Sequence, residues 1–143
     1  MTTREAFIQE ARSCIGLPFN PQGAQECGVH CLGIFVLICS RFPDLAGIVE
    51  EADPYIGYTK PFEPGVLMRR MVACKHLEIV RPPRLEVGNL LLIRFDGEPQ
   101  HMVLIIEPGI ILNARGNPYN RVVDQGLPSD WPIALETRIK ALT

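Results

Sequence analysis

Cys31, His101 and Asn113 are the residues of this sequence whose types could combine into covalent catalysis. Cys31 lies in GVHCLGIF, residues 28–35, where a histidine and a cysteine stand side by side ahead of a long apolar run. A thiol at the start of a helix sits near unpaired N–H groups and the positive end of the helix dipole. Both favour the thiolate, which is the nucleophilic form. Gly28 and Gly33 flank it, and small residues let backbone and substrate come close to the sulfur. A cysteine taken at random is more often a small buried hydrophobe, so the thiol needs partners before it counts as a nucleophile.

A cysteine nucleophile needs a base that takes its proton and returns it to the leaving group. His101 opens the apolar stretch HMVLIIE directly after the turn DGEPQ. Strand ends beside loops hold a group rigidly yet leave it within reach. His30 adjoins Cys31, but neighbours at a helix start point in different directions. His76 ends an amphipathic segment, where a surface histidine near the negative end of the dipole is the simpler reading. Asn113 supplies a third member, because HMVLIIEPGIILNAR reads as a hairpin turning near Pro108. If paired residue numbers sum to an even value near 214, His101 and Asn113 share one face as neighbours. The amide oxygen could then accept from one ring nitrogen and fix the tautomer. An odd register would part them.

Cys27, His30 and Cys31 are also metal-ligand types lying close together. Structural zinc takes four ligands, usually in two paired clusters, and the second pair is missing. Cys74 and His76 are separated by a single residue, so no metal and no cofactor is expected. Cys39 lies about two turns beyond Cys31 on the same helix face and reads as core, as does Cys14.

These residues must be held by folded elements. Residues 3–14 have apolar positions at helix spacing with Thr3 as N-cap. GLPFNPQG breaks that helix. Residues 31–42 predict a second helix, apolar nearly all round and therefore buried. Residues 43–64, rich in proline and glycine, read as an irregular excursion, and residues 65–76 as a third, amphipathic helix. From there LLLIRF, HMVLIIE and IILNAR predict strands, NRVVD is a candidate fourth, and WPIALETRIKAL a short strand or helix. Helices first and strands afterwards give an α+β class, with N-terminal helices packed on a C-terminal antiparallel β-sheet.

With 143 residues the chain is expected to form one domain, residues 1–143. Charged residues at 21% and hydrophobic ones at 47% are ordinary for a globular protein and argue against disorder. A net charge of −2 gives no electrostatic case for nucleic acid or an anionic membrane, so neither is an expected partner. The longest apolar run, CLGIFVLIC, is about half of what a bilayer requires. The opening MTTREAFIQEARSC has no apolar signal region, so the expected location is the cytoplasm. Five cysteines, an odd number in a chain of that location, predict no complete disulfide framework.

With these residues in place the sequence resembles the NlpC-type cysteine peptidases of bacterial cell-wall hydrolases, particularly the short single-domain forms encoded with phage tail genes. EARSCIGLPF resembles the opening helix and its exit, GVHCLGIFVLI the nucleophile motif, LEVGNLLLIRFDGEPQHMVLII the Pro-Gly-Asp and histidine strands, and GIILNARG the strand of the third polar residue. The resemblance implies a papain-like core. It also implies cleavage of an amide bond in peptidoglycan stem peptides, typically D-glutamyl to diaminopimelate, through Cys31, His101 and Asn113. It implies substrate contacts at Phe19, His30 and Gly33, a peptidoglycan or muropeptide substrate, phage tail proteins as further partners, and a phage virion as the alternative location to the cytoplasm. Phe19 stands where tyrosine is frequent, His30 where aspartate is usual, Val87 and Asn89 in place of the proline and aspartate of Pro-Gly-Asp, and Asn113 where histidine is commonest. Two functions follow: a cysteine peptidase or amidase working through a thioester, or a catalytically impaired phage tail-assembly or binding module that keeps the fold. Transfer of the acyl group to an amine instead of water is a variant of the first.

Overall fold

The computed structural model describes residues 1–19, 24–25, 28–29, 31–55, 65–95, 98–116 and 118–143. The first helix, α1, is Arg4–Ser13, and the Thr3 hydroxyl caps it by accepting from the Ala6 N–H at 3.0 Å. It buries Phe7, Ile8 and Ala11. Two short paired strands, β1 (Ala24–Gln25) and β2 (Gly28–Val29), precede the second helix, α2, Cys31–Ser40. Every residue from Leu32 to Cys39 is buried, so α2 is the central element that its sequence predicts. Cys14 and Cys39 are core residues, as expected.

The stretch from 43 is more ordered than its prolines predict. Pro43–Leu45 form a 3-10 turn, α3 follows as Ala46–Ala52, and Asp53–Tyr55 make a second 3-10 turn. Pro43 stands at the start of its turn, where a missing N–H costs nothing. Leu45 and Ile48 are buried, so tertiary packing stabilises a seven-residue helix too short to show a sequence period. The rest of that excursion, residues 56–64, lies outside the described residues. Helix α4 runs Val66–Ala73, shorter than expected, because Cys74 is extended and Leu77–Ile79 become strand β3.

Strands β4 (Leu90–Phe95), β5 (Glu98–Glu107), β6 (Ile110–Arg115), β7 (Arg121–Gly126) and β8 (Ile133–Ile139) complete an antiparallel sheet in the order β3-β8-β4-β5-β6-β7. The C-terminal stretch is thus a strand, and it returns across the molecule to lie between β3 and β4. One face of the sheet (Leu90, Leu92, Met102, Leu104, Leu112 and Ala114) belongs to the same core as the helices. The other carries Leu91, Ile93, Val103, Ile105 and Ile111, packed with Trp131 and Ile133. Burial on both faces explains why β4 reads as an unbroken apolar run.

Strand β5 starts three residues before His101, not at it. Pairing with β4 continues to Phe95↔Glu98, with a bulge where Ile93↔His101 gives way to Arg94↔Pro99. The DGEPQ segment is therefore strand from Glu98 onward, and the bulge accommodates a proline in the ladder. Pro108–Gly109, with Gly109 at φ 76°, turns β5 into β6. The paired residues Leu104↔Leu112 and Ile105↔Ile111 sum to 216, an even register. Odd-numbered residues of both strands share a face, which puts His101 and Asn113 on the same side of the sheet.

Candidate active site

The site is built where the start of α2 meets β5. Cys31 is the first residue of α2 and is partly buried against the main core. Its sulfur lies against the backbone of Met102, the residue next to His101, and receives N–H groups from Met102 and Leu32. Burial pushes the Cys31 thiol up, and these N–H groups and its own pull it down by less. The thiolate preference expected of a helix N-terminus is therefore overturned in the resting protein: taking the sulfur out of water outweighs the helix end.

His101 is buried, with only 8% of its surface exposed. Its Nε2 lies 2.9 Å from Asn113 Oδ1. Trp131 meets the imidazole edge-on, with ring centroids 5.8 Å apart and planes at 87°. Burial lowers the His101 pKa, the Asn113 hydrogen bond raises it, and the nearby Arg115 guanidinium lowers it again, leaving it below the ordinary 6.5. Asn113 is fully buried, and its Nδ2 donates to Gln125 Oε1 at 3.2 Å and more weakly to Val123 O at 3.4 Å. Arg115 Nη1 donates to the same Gln125 oxygen at 2.7 Å. The Arg115 guanidinium also lies 4.9 Å from the Tyr119 ring centroid and 5.3 Å from that of Trp131.

No family model matches the sequence, and no curated protein matches it. Solved structures do. NlpC2 from Trichomonas vaginalis superposes at a TM-score of 0.69 and 13% identity, over 95% of this chain and 46% of that one. The NlpC/p60 domain of the peptidoglycan hydrolase SagA gives 0.62 at 16%, over 94% of this chain and 97% of that domain. The peptidoglycan hydrolase RipB from Mycobacterium tuberculosis gives 0.60 at 22%, over 95% and 64%. The chain has the NlpC/p60 fold. It spans about half the length of the Trichomonas protein, and at these identities the likeness is one of fold.

Within this NlpC/p60 fold the three expected residues come from the three expected elements. His101 and Asn113 are in direct contact on the face that carries Ile93, Ile105, Ile111 and Trp131, whereas Cys31 packs with Met102 in the core that faces the helices, so its sulfur comes to the backbone next to His101. Gly33 is buried in the first turn of α2. Phe19 packs against Gly116 beside the β6–β7 turn, and its N–H donates to Asn120 O at 3.0 Å. His30 and Cys27 lie outside the described residues. His76 packs against Gly47 of α3 instead. Among the described residues no group of three or more His, Cys, Asp or Glu is placed to hold a metal.

Arg115, Gln125 and Trp131 escaped the sequence reading. Arg115 has the parity of Asn113 on β6, and Gln125 stands two beyond Val123, the ladder partner of Asn113. Only the β6–β7 register makes that pattern visible. Trp131 is the single tryptophan, which was a signal available in the sequence.

Proposed function

We propose that this chain is a cysteine peptidase or amidase that hydrolyses an amide bond in peptidoglycan stem peptides, of the D-glutamyl to diaminopimelate type. The observation that carries this reading is the 2.9 Å contact between His101 Nε2 and Asn113 Oδ1, beside a sulfur seated on the backbone of Met102. SagA and RipB, which share the fold, are peptidoglycan hydrolases, and this supports the substrate class.

Asn113 accepts from the Nε2–H of His101, so Nδ1 is the proton-accepting atom of the ring. A raised thiol and a lowered imidazole give a neutral resting pair. Substrate binding brings the scissile carbonyl to the sulfur, and His101 takes the thiol proton as the C–S bond forms. The N–H groups of Cys31 and Leu32 at the head of α2 receive the oxyanion. His101 returns its proton to the departing amine, leaving a thioester, and then activates water to release the acid. Phe19, His30 and Gly33 make the substrate contacts in this reading.

The test is hydrolysis of a purified muropeptide or its stem tetrapeptide. Cys31→Ala and His101→Ala should each lower kcat/KM by about 10³-fold or more. Full activity in either variant overturns the proposal. Muropeptide binding by the wild-type chain with no turnover would give the alternative, a binding module that keeps the fold.

A further inference from the structure

We propose that Arg115 and Gln125 are positioning residues that fix the tautomer of His101 through a one-way chain of hydrogen bonds. This rests on the peptidase reading for its catalytic meaning, but the chain itself is a matter of donors and acceptors. Arg115 can only donate, and its guanidinium lies against both the Tyr119 and the Trp131 rings. Its Nη1 lies 2.7 Å from Gln125, so the Gln125 amide must turn its oxygen toward it. That same oxygen is the acceptor 3.2 Å from Asn113 Nδ2. The Asn113 amide must then present Oδ1 to the imidazole, which it does at 2.9 Å. An oxygen there can only accept, so Nε2 carries the hydrogen and Nδ1 carries the lone pair.

The guanidinium is thus the one group in the chain whose polarity has no alternative, and each later group inherits its direction. Without it, both amides can flip. A flipped Asn113 would point Nδ2 at Nε2 and stabilise the Nδ1–H tautomer, which cannot take a proton from the thiol at that atom. Val123 O, at 3.4 Å from Asn113 Nδ2, is too long to hold the amide alone. Arg115 also acts at a distance, since its charge opposes protonation of His101.

The experiment uses the full chain with ¹⁵N-labelled histidine and long-range ¹H–¹⁵N correlation spectra, which report the tautomer without any turnover. Wild type should show His101 as the Nε2–H form. Gln125→Leu and Arg115→Met should each populate the Nδ1–H form, and each should lower kcat on a stem tetrapeptide by about 10–100-fold while KM changes much less. Gln125→Glu, an acceptor to both neighbours, should keep the Nε2–H form and move the His101 titration midpoint upward through its added negative charge. If both disruptive variants fold and His101 stays wholly in the Nε2–H form, the proposal is overturned. If they do not fold, Gln125→Glu decides: a midpoint that fails to rise, or a changed tautomer, overturns it. A wild-type chain without turnover refutes the peptidase reading while these spectra still decide the relay.

Discussion

At the scale of single residues, the charge of His101 is set by three influences of different kinds. Burial disfavours its cation, the Asn113 oxygen favours it, and Arg115 disfavours it again. The net result is a midpoint below 6.5, and this has two measurable consequences. In activity, kcat/KM should rise with pH on an acid limb below 6.5, as the base becomes neutral, and should hold its plateau to about 9 or beyond because the Cys31 thiol is pushed up. In stability, the unfolded chain binds a proton at this position more readily than the folded one. The contribution is therefore complete above 6.5 and is lost as pH falls through the lower folded-state midpoint. Trp131 packs against this ring in a T-shaped contact. Trp131→Ala should let water in and bring the His101 midpoint back toward 6.5, as followed by NMR titration. An unchanged midpoint would show that the indole does not provide the burial.

At the scale of elements, the strands are locked in place by a polar clamp the sequence does not advertise. Glu136 on β8 is buried, and its carboxylate accepts from the N–H groups of Arg84 and Leu85 at 2.8 Å, from Glu86 at 3.3 Å, and from Asn89 Nδ2 at 2.6 Å. One side chain thereby satisfies the turn that leads into β4, where Leu85 has φ 55°. The clamp also gives a reason for Asn89 standing where Pro-Gly-Asp would place an aspartate. An amide can donate to Glu136, whereas a carboxylate would face it with like charge. Glu136→Ala leaves several buried donors without an acceptor and should destabilise the chain by about 3 kcal/mol or more. Asn89→Asp should act in the same direction at pH 7. Urea unfolding with a constant m-value checks both, and a change under about 0.5 kcal/mol would show that the turn holds itself.

At the scale of the whole molecule, the sheet depends on its last strand, since β8 lies between β3 and β4 and joins them. Deleting residues 133–143 removes the partner of two strands and the Glu136 clamp together. That shortened chain should lose its cooperative thermal transition by circular dichroism, while the full chain keeps one. What could be read without coordinates was what local pattern encodes. The helical period of α1, the apolar run of α2, the strands of the β4–β6 stretch, and the cysteine, histidine and amide of the candidate site are all present as residue types in order. What could not be read was whatever depends on who packs against whom. Strand β3 and helix α3 are too short to carry a period of their own, and β8 is a strand because two others flank it. The start of β5 moved because pairing with β4 ran past a proline through a bulge. The line of contacts from Arg115 through Gln125 to Asn113 and His101 exists only once the β6–β7 register is set. The thiol makes the same point physically. A sequence can place a sulfur at a helix start, but how much water it loses there, and so whether it rests as thiol or thiolate, is decided by the tertiary contacts that bury it.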